Sequence, residues 1–224
     1  SVGFIGHIKQ GMPYRVATEV NLALSGMNDI ELRLGGNGCH LSGIIPAQPL
    51  PSCGINLQNG KADILLIGDS HLDVIGLQLL SQLDSLNLSA YALSYSGCVP
   101  ISGLKRSDRD NSNCVEYNEV VRQYAQIYGV KTIVLVARFP LYLLGHRYDN
   151  GEGGLEDGKP LPVDTIDNIN TNSEWDDEAR RNRVTQQFRS EIERLAKDYN
   201  VIVFTPIPEV GWNVPNYYAK LVMF

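Results

Sequence analysis

Ser70 follows Gly68 and Asp69 where the apolar run Ile64-Leu65-Leu66-Ile67 gives way to a helical pattern. A hydroxyl in that place suits nucleophilic acyl transfer, which also needs a base, a group that orients the base, and donors for the oxyanion. Ser70 offers its hydroxyl together with a backbone N–H at the positive end of a helix. The same residues also read as an ordinary helix N-cap, and the local pattern leaves both readings open. A third reading takes Asp69-Ser70-His71 as the Asp-x-His opening of a dinuclear metal site. That chemistry needs further His, Asp and Asn ligands at later strand ends, and the chain has four histidines and no Gly-Asn-His.

Candidate bases are few. The histidines are His7, His40, His71 and His146, and none has an aspartate three residues before it. His71 adjoins Ser70, and its direction along the helix makes it a first-turn or site-wall residue rather than a base for its neighbour. His146 stands beside a long polar segment and is the alternative. His7 and His40 fall in an N-terminal stretch with no visible acidic partner.

These residues need elements to hold them. The run Ile64–Ile67 is short, continuous and apolar, as in a central strand covered on both faces. Leu72, Ile75, Leu79, Leu80 and Leu83 then mark a helix from His71 to about Leu83. A strand is predicted at Ala90–Tyr95. A helix follows from Val115 to Tyr128, with Tyr117, Val120, Val121, Tyr124 and Ile127 on one face and Gly129 as its stop. Lys131–Ala137 reads as another buried strand. Residues 145–173 form a polar, glycine-rich insertion, of a length that is usually functional or mobile. The clearest helix spans Glu174–Tyr199 with Val184, Phe188, Ile192 and Leu195 inward, and it feeds a strand at Val201–Thr205. Strands alternating with helices predict an α/β fold with a parallel, doubly wound sheet whose reactive loops lie at the strand C-termini. Residues 1–60, rich in Gly, Pro and Asn with one short element near Val16–Leu24, read as an extension.

The 224 residues are 43% hydrophobic, enough for one sizeable core. A net charge of −6 provides no broad cationic field, which argues against nucleic acid as the partner and leaves neutral glycans compatible. No apolar run reaches the roughly 20 residues of a membrane-spanning helix. Cys39, Cys53, Cys98 and Cys114 allow three pairings, of which Cys39 with Cys53 and Cys98 with Cys114 close the shortest sensible loops. Four thiols in a reducing compartment are the other reading.

Gly68-Asp69-Ser70 resembles the first motif of the SGNH (GDSL-type) hydrolases. Four further stretches look like the SGNH domain fused behind bacterial acyltransferase-3 membrane domains: Gly11-Met12-Pro13-Tyr14-Arg15, Ser96-Gly97-Cys98-Val99-Pro100, Val134-Leu135-Val136-Ala137-Arg138-Phe139 and Pro206-Ile207-Pro208-Glu209-Val210. The resemblance covers nearly the whole chain. It implies a flavodoxin-like, three-layer α/β/α fold in which Ser70 is the nucleophile and the backbone N–H groups of Ser70 and Gly97 receive the oxyanion. Where the broad family carries the asparagine of a Gly-x-Asn-Asp, this chain has Arg138, which the resemblance makes a further oxyanion contact; Asp69 and His71 fall on the site wall.

The family's base and orienting acid come from an Asp-x-x-His near the C-terminus, which these 224 residues lack. That departure, with a start at Ser1 and an end at Phe224, reads as a piece of a longer protein. Residues 1–60 would then be an extension or linker following a membrane domain, and residues 61–224 the SGNH domain without its C-terminal end. The resemblance further implies a periplasmic or outer-surface location, disulfides rather than thiols, and no cofactor. The expected reaction is transfer of an acyl group, most often acetyl, from an acyltransferase-3 membrane domain to a hydroxyl of a cell-surface polysaccharide. A stand-alone esterase acting on glycans is the alternative, as is a non-catalytic carbohydrate-binding module using Tyr142, Tyr148, Trp175, Trp212, Tyr217 and Tyr218.

Overall fold

A computed structural model of the chain describes residues 17–25, 33–106, 108, 113–156, 158–161, 163–168, 177–210 and 213–223. Helix α1 (Thr18–Ser25) is followed by a 3-10 turn at Leu34–Asn37, strands β1 (His40–Leu41), β2 (Gly54–Ile55) and β3 (Ile64–Gly68), and helix α2 (Ser70–Ser85). Then come β4 (Ala90–Tyr95), β5 (Leu104–Arg106), α3 (Cys114–Tyr128), β6 (Thr132–Val136) and α4 (Phe139–Leu144). The order closes with β7 (Val163–Thr165), α5 (Glu178–Leu195), β8 (Asn200–Val203) and α6 (Val214–Met223). The chain divides into two compact units. Described residues within 32–148 and 157–208 form the larger one; described residues within 1–31, 149–156 and 209–224 form the smaller. In the smaller unit α1 packs on α6, burying Val20 and Ala219.

The larger unit is built on a six-stranded sheet in the order β1-β4-β3-β6-β8, with β2 paired antiparallel to β4 and every other pairing parallel. The mostly parallel, helix-flanked sheet is the expected architecture. All six residues of β4 and the last four of β3 and of β6 are buried, which is why these segments are continuous apolar runs rather than alternating ones. Residues 34–55, part of the stretch that composition reads as an extension, supply β1 and β2 to this sheet. The two disulfides fall as the shortest loops require: Cys39–Cys53 ties the approaches to β1 and β2, and Cys98–Cys114 ties the loop after β4 to the start of α3.

Register decides what the sheet presents. Gly68 pairs with Ser94 of β4 and with Val136 of β6, so the C-terminal ends of three strands lie side by side. Ser70, Gly97 and Arg138 each follow one of those ends within three residues, and distant sequence is thereby brought to one edge. Two elements inside or beside the polar insertion escaped the sequence pattern. Helix α4 has six residues, too few to show a period, and β7 pairs with β5 as a two-stranded ribbon of three residues each. The long helix runs from Glu178, capped by the Asp177 carboxylate accepting from Ala179 N, to Leu195. Residues 174–176 of its expected start lie outside the described residues. Among the described residues no helix is long and apolar enough to cross a membrane.

Candidate active site

The serine is set by the glycine before it. A β-carbon on Gly68 would lie 1.8 Å from the Val136 carbonyl oxygen, a contact no side chain can make. Gly68 is therefore needed for the close approach of β3 to β6, while the turn itself falls on Asp69. Asp69, 1% exposed, is the N-cap of α2 and donates its own N–H to Val136 O at 3.3 Å. Its Oδ1 accepts from His71 N at 2.8 Å; its Oδ2 accepts from Arg138 N at 3.0 Å and from the Tyr142 hydroxyl at 2.7 Å. The local sequence thus gives both cap and exposed serine. Asp69 turns its carboxylate inward as the cap, and Ser70, the first residue of the helix, is left exposed at the sheet edge.

Below this turn lies Tyr117, fully buried. Its hydroxyl accepts from Gly68 N at 3.1 Å and donates to Leu93 O at 2.7 Å, joining β3 to β4 two residues before the serine. Burial drives both site phenols up: Tyr117 above its ordinary range, and Tyr142 well above it, with the Asp69 charge and hydrogen bond adding to the effect. Arg106 and Arg138 act on the Tyr142 phenol in the opposite sense, so both cations are felt at the site.

Gly97 sits at φ +67° in the turn where Cys98 N donates to Tyr95 O at 3.2 Å. Its carbonyl accepts from Arg106 Nη1 at 3.1 Å, and a β-carbon on Gly97 would meet that nitrogen at 2.3 Å. Arg106, 5% exposed, also grips Asp108 through Nε (2.8 Å) and Nη2 (2.6 Å). Arg138 is the N-cap residue of α4; its backbone N–H donates to Asp69, its carbonyl accepts from Leu141 N, and its side chain is half-buried.

The histidines are dispersed. His71 stands half-buried in the first turn of α2, and His40 places Nδ1 2.8 Å from Ser94 Oγ on the row that holds Gly68. His146 is exposed, with Nδ1 3.1 Å from Arg147 O. His7 and the Gly11–Arg15 stretch lie outside the described residues, as do Trp175 and Trp212. Of the sugar-stacking candidates, Tyr142 is 1% exposed and belongs to the site's floor, whereas Tyr217 and Tyr218 are about half exposed. Among the described residues no cluster of His, Cys, Asp or Glu is arranged to hold a metal ion. An apolar trough of about 290 Å³ runs between α2 and residues 204–208, lined by Ile75, Leu79, Phe204 and Ile207 among others, and it takes in the Pro206-Ile207-Pro208 stretch.

Fold and site together define a three-layer α/β domain presenting a serine at a strand-to-helix turn. The chain belongs to the SGNH domain family, described as fused to AT3 domains, whose model matches residues 38–224. Among solved structures it is similar to the periplasmic domain of a lipopolysaccharide acetyltransferase from Salmonella ser. Paratyphi A. That likeness has 16% identity and a TM-score of 0.47, covering 93% of this chain and 67% of that one. No curated protein matches the sequence.

Proposed function

We propose that this domain is the extracytoplasmic part of a membrane-bound O-acyltransferase, and that Ser70 carries the acyl group on its way to a surface glycan. The observation that supports the reading is the membership of residues 38–224 in the SGNH family described as fused to AT3 domains, with Ser70 exposed at the turn from β3 into α2. The residues preceding the sheet lead from the membrane domain, which delivers the acyl group.

The chemistry proceeds in two exchanges. Ser70 Oγ attacks the acyl carbonyl, its proton passes to a base, and the donor's leaving group departs, giving a serine ester. A sugar hydroxyl then attacks the ester carbonyl; its proton is taken up as the Ser70 oxygen leaves, and the acyl group ends on the glycan. In both exchanges negative charge gathers on the carbonyl oxygen. The Ser70 N–H, unsatisfied by the helix it starts, and the Gly97 N–H are donors for it, and the Arg138 guanidinium supplies charge. The base is a histidine of the Asp-x-x-His kind, a motif that these 224 residues do not contain. Hydrolysis would use the same residues with water as acceptor.

The test is Ser70→Ala in the full-length membrane protein, read by O-acylation of the cell-surface polysaccharide. Loss of acylation with an unchanged melting curve is expected, as is a Ser70 peptide heavier by one acyl group in the parent after donor is supplied without acceptor. Acylation unaffected by Ser70→Ala removes Ser70 from the mechanism. Acyl release to water in the presence of a good glycan acceptor favours the esterase reading.

A further inference from the structure

Asp69 is held at more points than an N-cap requires. One backbone donor, His71 N on Oδ1, is the cap itself. The two donors on Oδ2 come from another element, Arg138 N at 3.0 Å and Tyr142 Oη at 2.7 Å, both at the start of or within α4. Helix α4 is fixed in turn from its far end. The Arg180 guanidinium, 1% exposed on α5, donates to Leu143 O at 2.9 Å, Tyr142 O at 3.3 Å and Val163 O at 2.8 Å. Cation and carbonyls at a helix C-terminus suit one another, and this places the Tyr142 side chain with little freedom.

We propose that Tyr142 is a positioning residue for Ser70, acting through Asp69, in the acyl-transfer reaction proposed above and resting on that reading. Ser70 is one peptide from a buried carboxylate. If Oδ2 lost its hydroxyl partner the Asp69 side chain would reorient toward other donors and carry the Ser70 N–H and Oγ with it. The same hydroxyl disperses a negative charge that stands close to the position where the oxyanion forms, and an undispersed carboxylate there opposes the charge that develops. Tyr142 touches neither the acyl group nor the acceptor in this scheme.

The experiment uses the full-length protein with p-nitrophenyl acetate as the acyl probe. Tyr142→Phe should lower kcat by about ten- to a hundredfold, the range for losing a hydrogen bond to a charged group, with KM unchanged. Replacement of Tyr142 by p-aminophenylalanine, which keeps a donor at the ring tip, should restore most of kcat. Asp69→Asn should produce a comparable loss, and adding Tyr142→Phe to it should cost nothing further, because the route runs through that carboxylate. Tyr124→Phe, which removes a hydroxyl that α3 donates to Pro46 O in the loop between β1 and β2, should keep parental kcat. Parental kcat in Tyr142→Phe, losses that multiply in the double variant, or a Tyr142→Phe chain that no longer folds would each overturn the proposal. Turnover that persists in Ser70→Ala overturns the acyl-transfer reading instead.

Discussion

Arg106 Nη1 occupies the space that a side chain on Gly97 would need, and from there it donates to the Gly97 carbonyl. The glycine is required twice over, by its φ of +67° and by this contact. Gly97→Ala should therefore cost about 1–3 kcal/mol of stability, the usual strain of a non-glycine residue in that conformation, and lower acyl transfer further by displacing the guanidinium. Urea unfolding alongside the acylation assay checks it; full activity in Gly97→Ala would show that the Gly97 turn and its Arg106 contact are not needed for acyl transfer.

Gly68→Ala should be more damaging still. The obstructing atom is a backbone carbonyl of β6, which cannot swing aside as a side chain would, so β3 and β6 must part at the centre of the sheet. A loss of about 3 kcal/mol or more is expected, at the upper end for overpacking, and is read by chemical denaturation. Stability equal to the parent would mean the two strands are not in register at Gly68 and Val136.

That Ser70, Gly97 and Arg138 come to neighbouring strand ends is legible, because short motifs at strand ends are local and a parallel sheet gathers its strand ends whatever the rest of the chain does. Tyr117, Tyr142, Arg106 and Arg180 were not, because each acts through backbone groups far away in sequence. Arg180 left one trace. It sits four residues before Val184 on the stripe that continues through Phe188 and Leu195, and a cation on an apolar stripe signals buried carbonyls to be satisfied. Glu191, 3% exposed on the same helix and paired with Arg122 and Arg194, breaks the pattern in the same way. Strands β1 and β2 have two residues each and exist only because β4 offers them an edge, so no periodicity could reveal them.

The pairing of Asp63 with Lys131 gives a pH dependence of known sign. Asp63 accepts from Lys131 Nζ and Ser89 Oγ, each at 2.7 Å, and these partners hold its carboxyl below the usual range while Lys131 is held above its own. A depressed carboxylate contributes stability above its unfolded pKa, near 3.9, and loses it as pH falls through the folded value. The raised ammonium contributes below its unfolded pKa, near 10.4, and loses it as pH rises through the folded value. Asp63→Asn should thus lower the melting temperature slightly at pH 7 and converge with the parent as pH falls below the depressed carboxylate's range. A difference that stays constant from pH 7 to pH 2 would sink the assignment.

Each disulfide closes a loop that lays apolar residues on the core, Ile45 within the first and Val99, Ile101 and Leu104 within the second. Peptide mapping without reduction should recover Cys39 with Cys53 and Cys98 with Cys114, whose sequence separations are 14 and 16. The double substitution Cys98→Ser with Cys114→Ser should cost about 3 kcal/mol in the chain-entropy account and loosen the segment that leads from Gly97. Free thiols in protein exported to an oxidising compartment would contradict the pairing.

Among the described residues Ser70 Oγ has no hydrogen-bond partner, and the 224 residues contain no Asp-x-x-His. A triad missing a member keeps a residual acceleration of about 10³- to 10⁴-fold over water through its oxyanion donors and binding alone. These 224 residues by themselves should therefore hydrolyse p-nitrophenyl acetate feebly, and that residue of activity should fall again in Gly97→Ala. A longer polypeptide that includes an Asp-x-x-His should turn over the same ester orders of magnitude faster, with a pH profile governed by a histidine. Robust, Ser70-dependent turnover by residues 1–224 alone would place the base among the histidines already present. His146→Ala and His40→Ala would then separate an exposed loop imidazole from one that shares a strand row with Gly68.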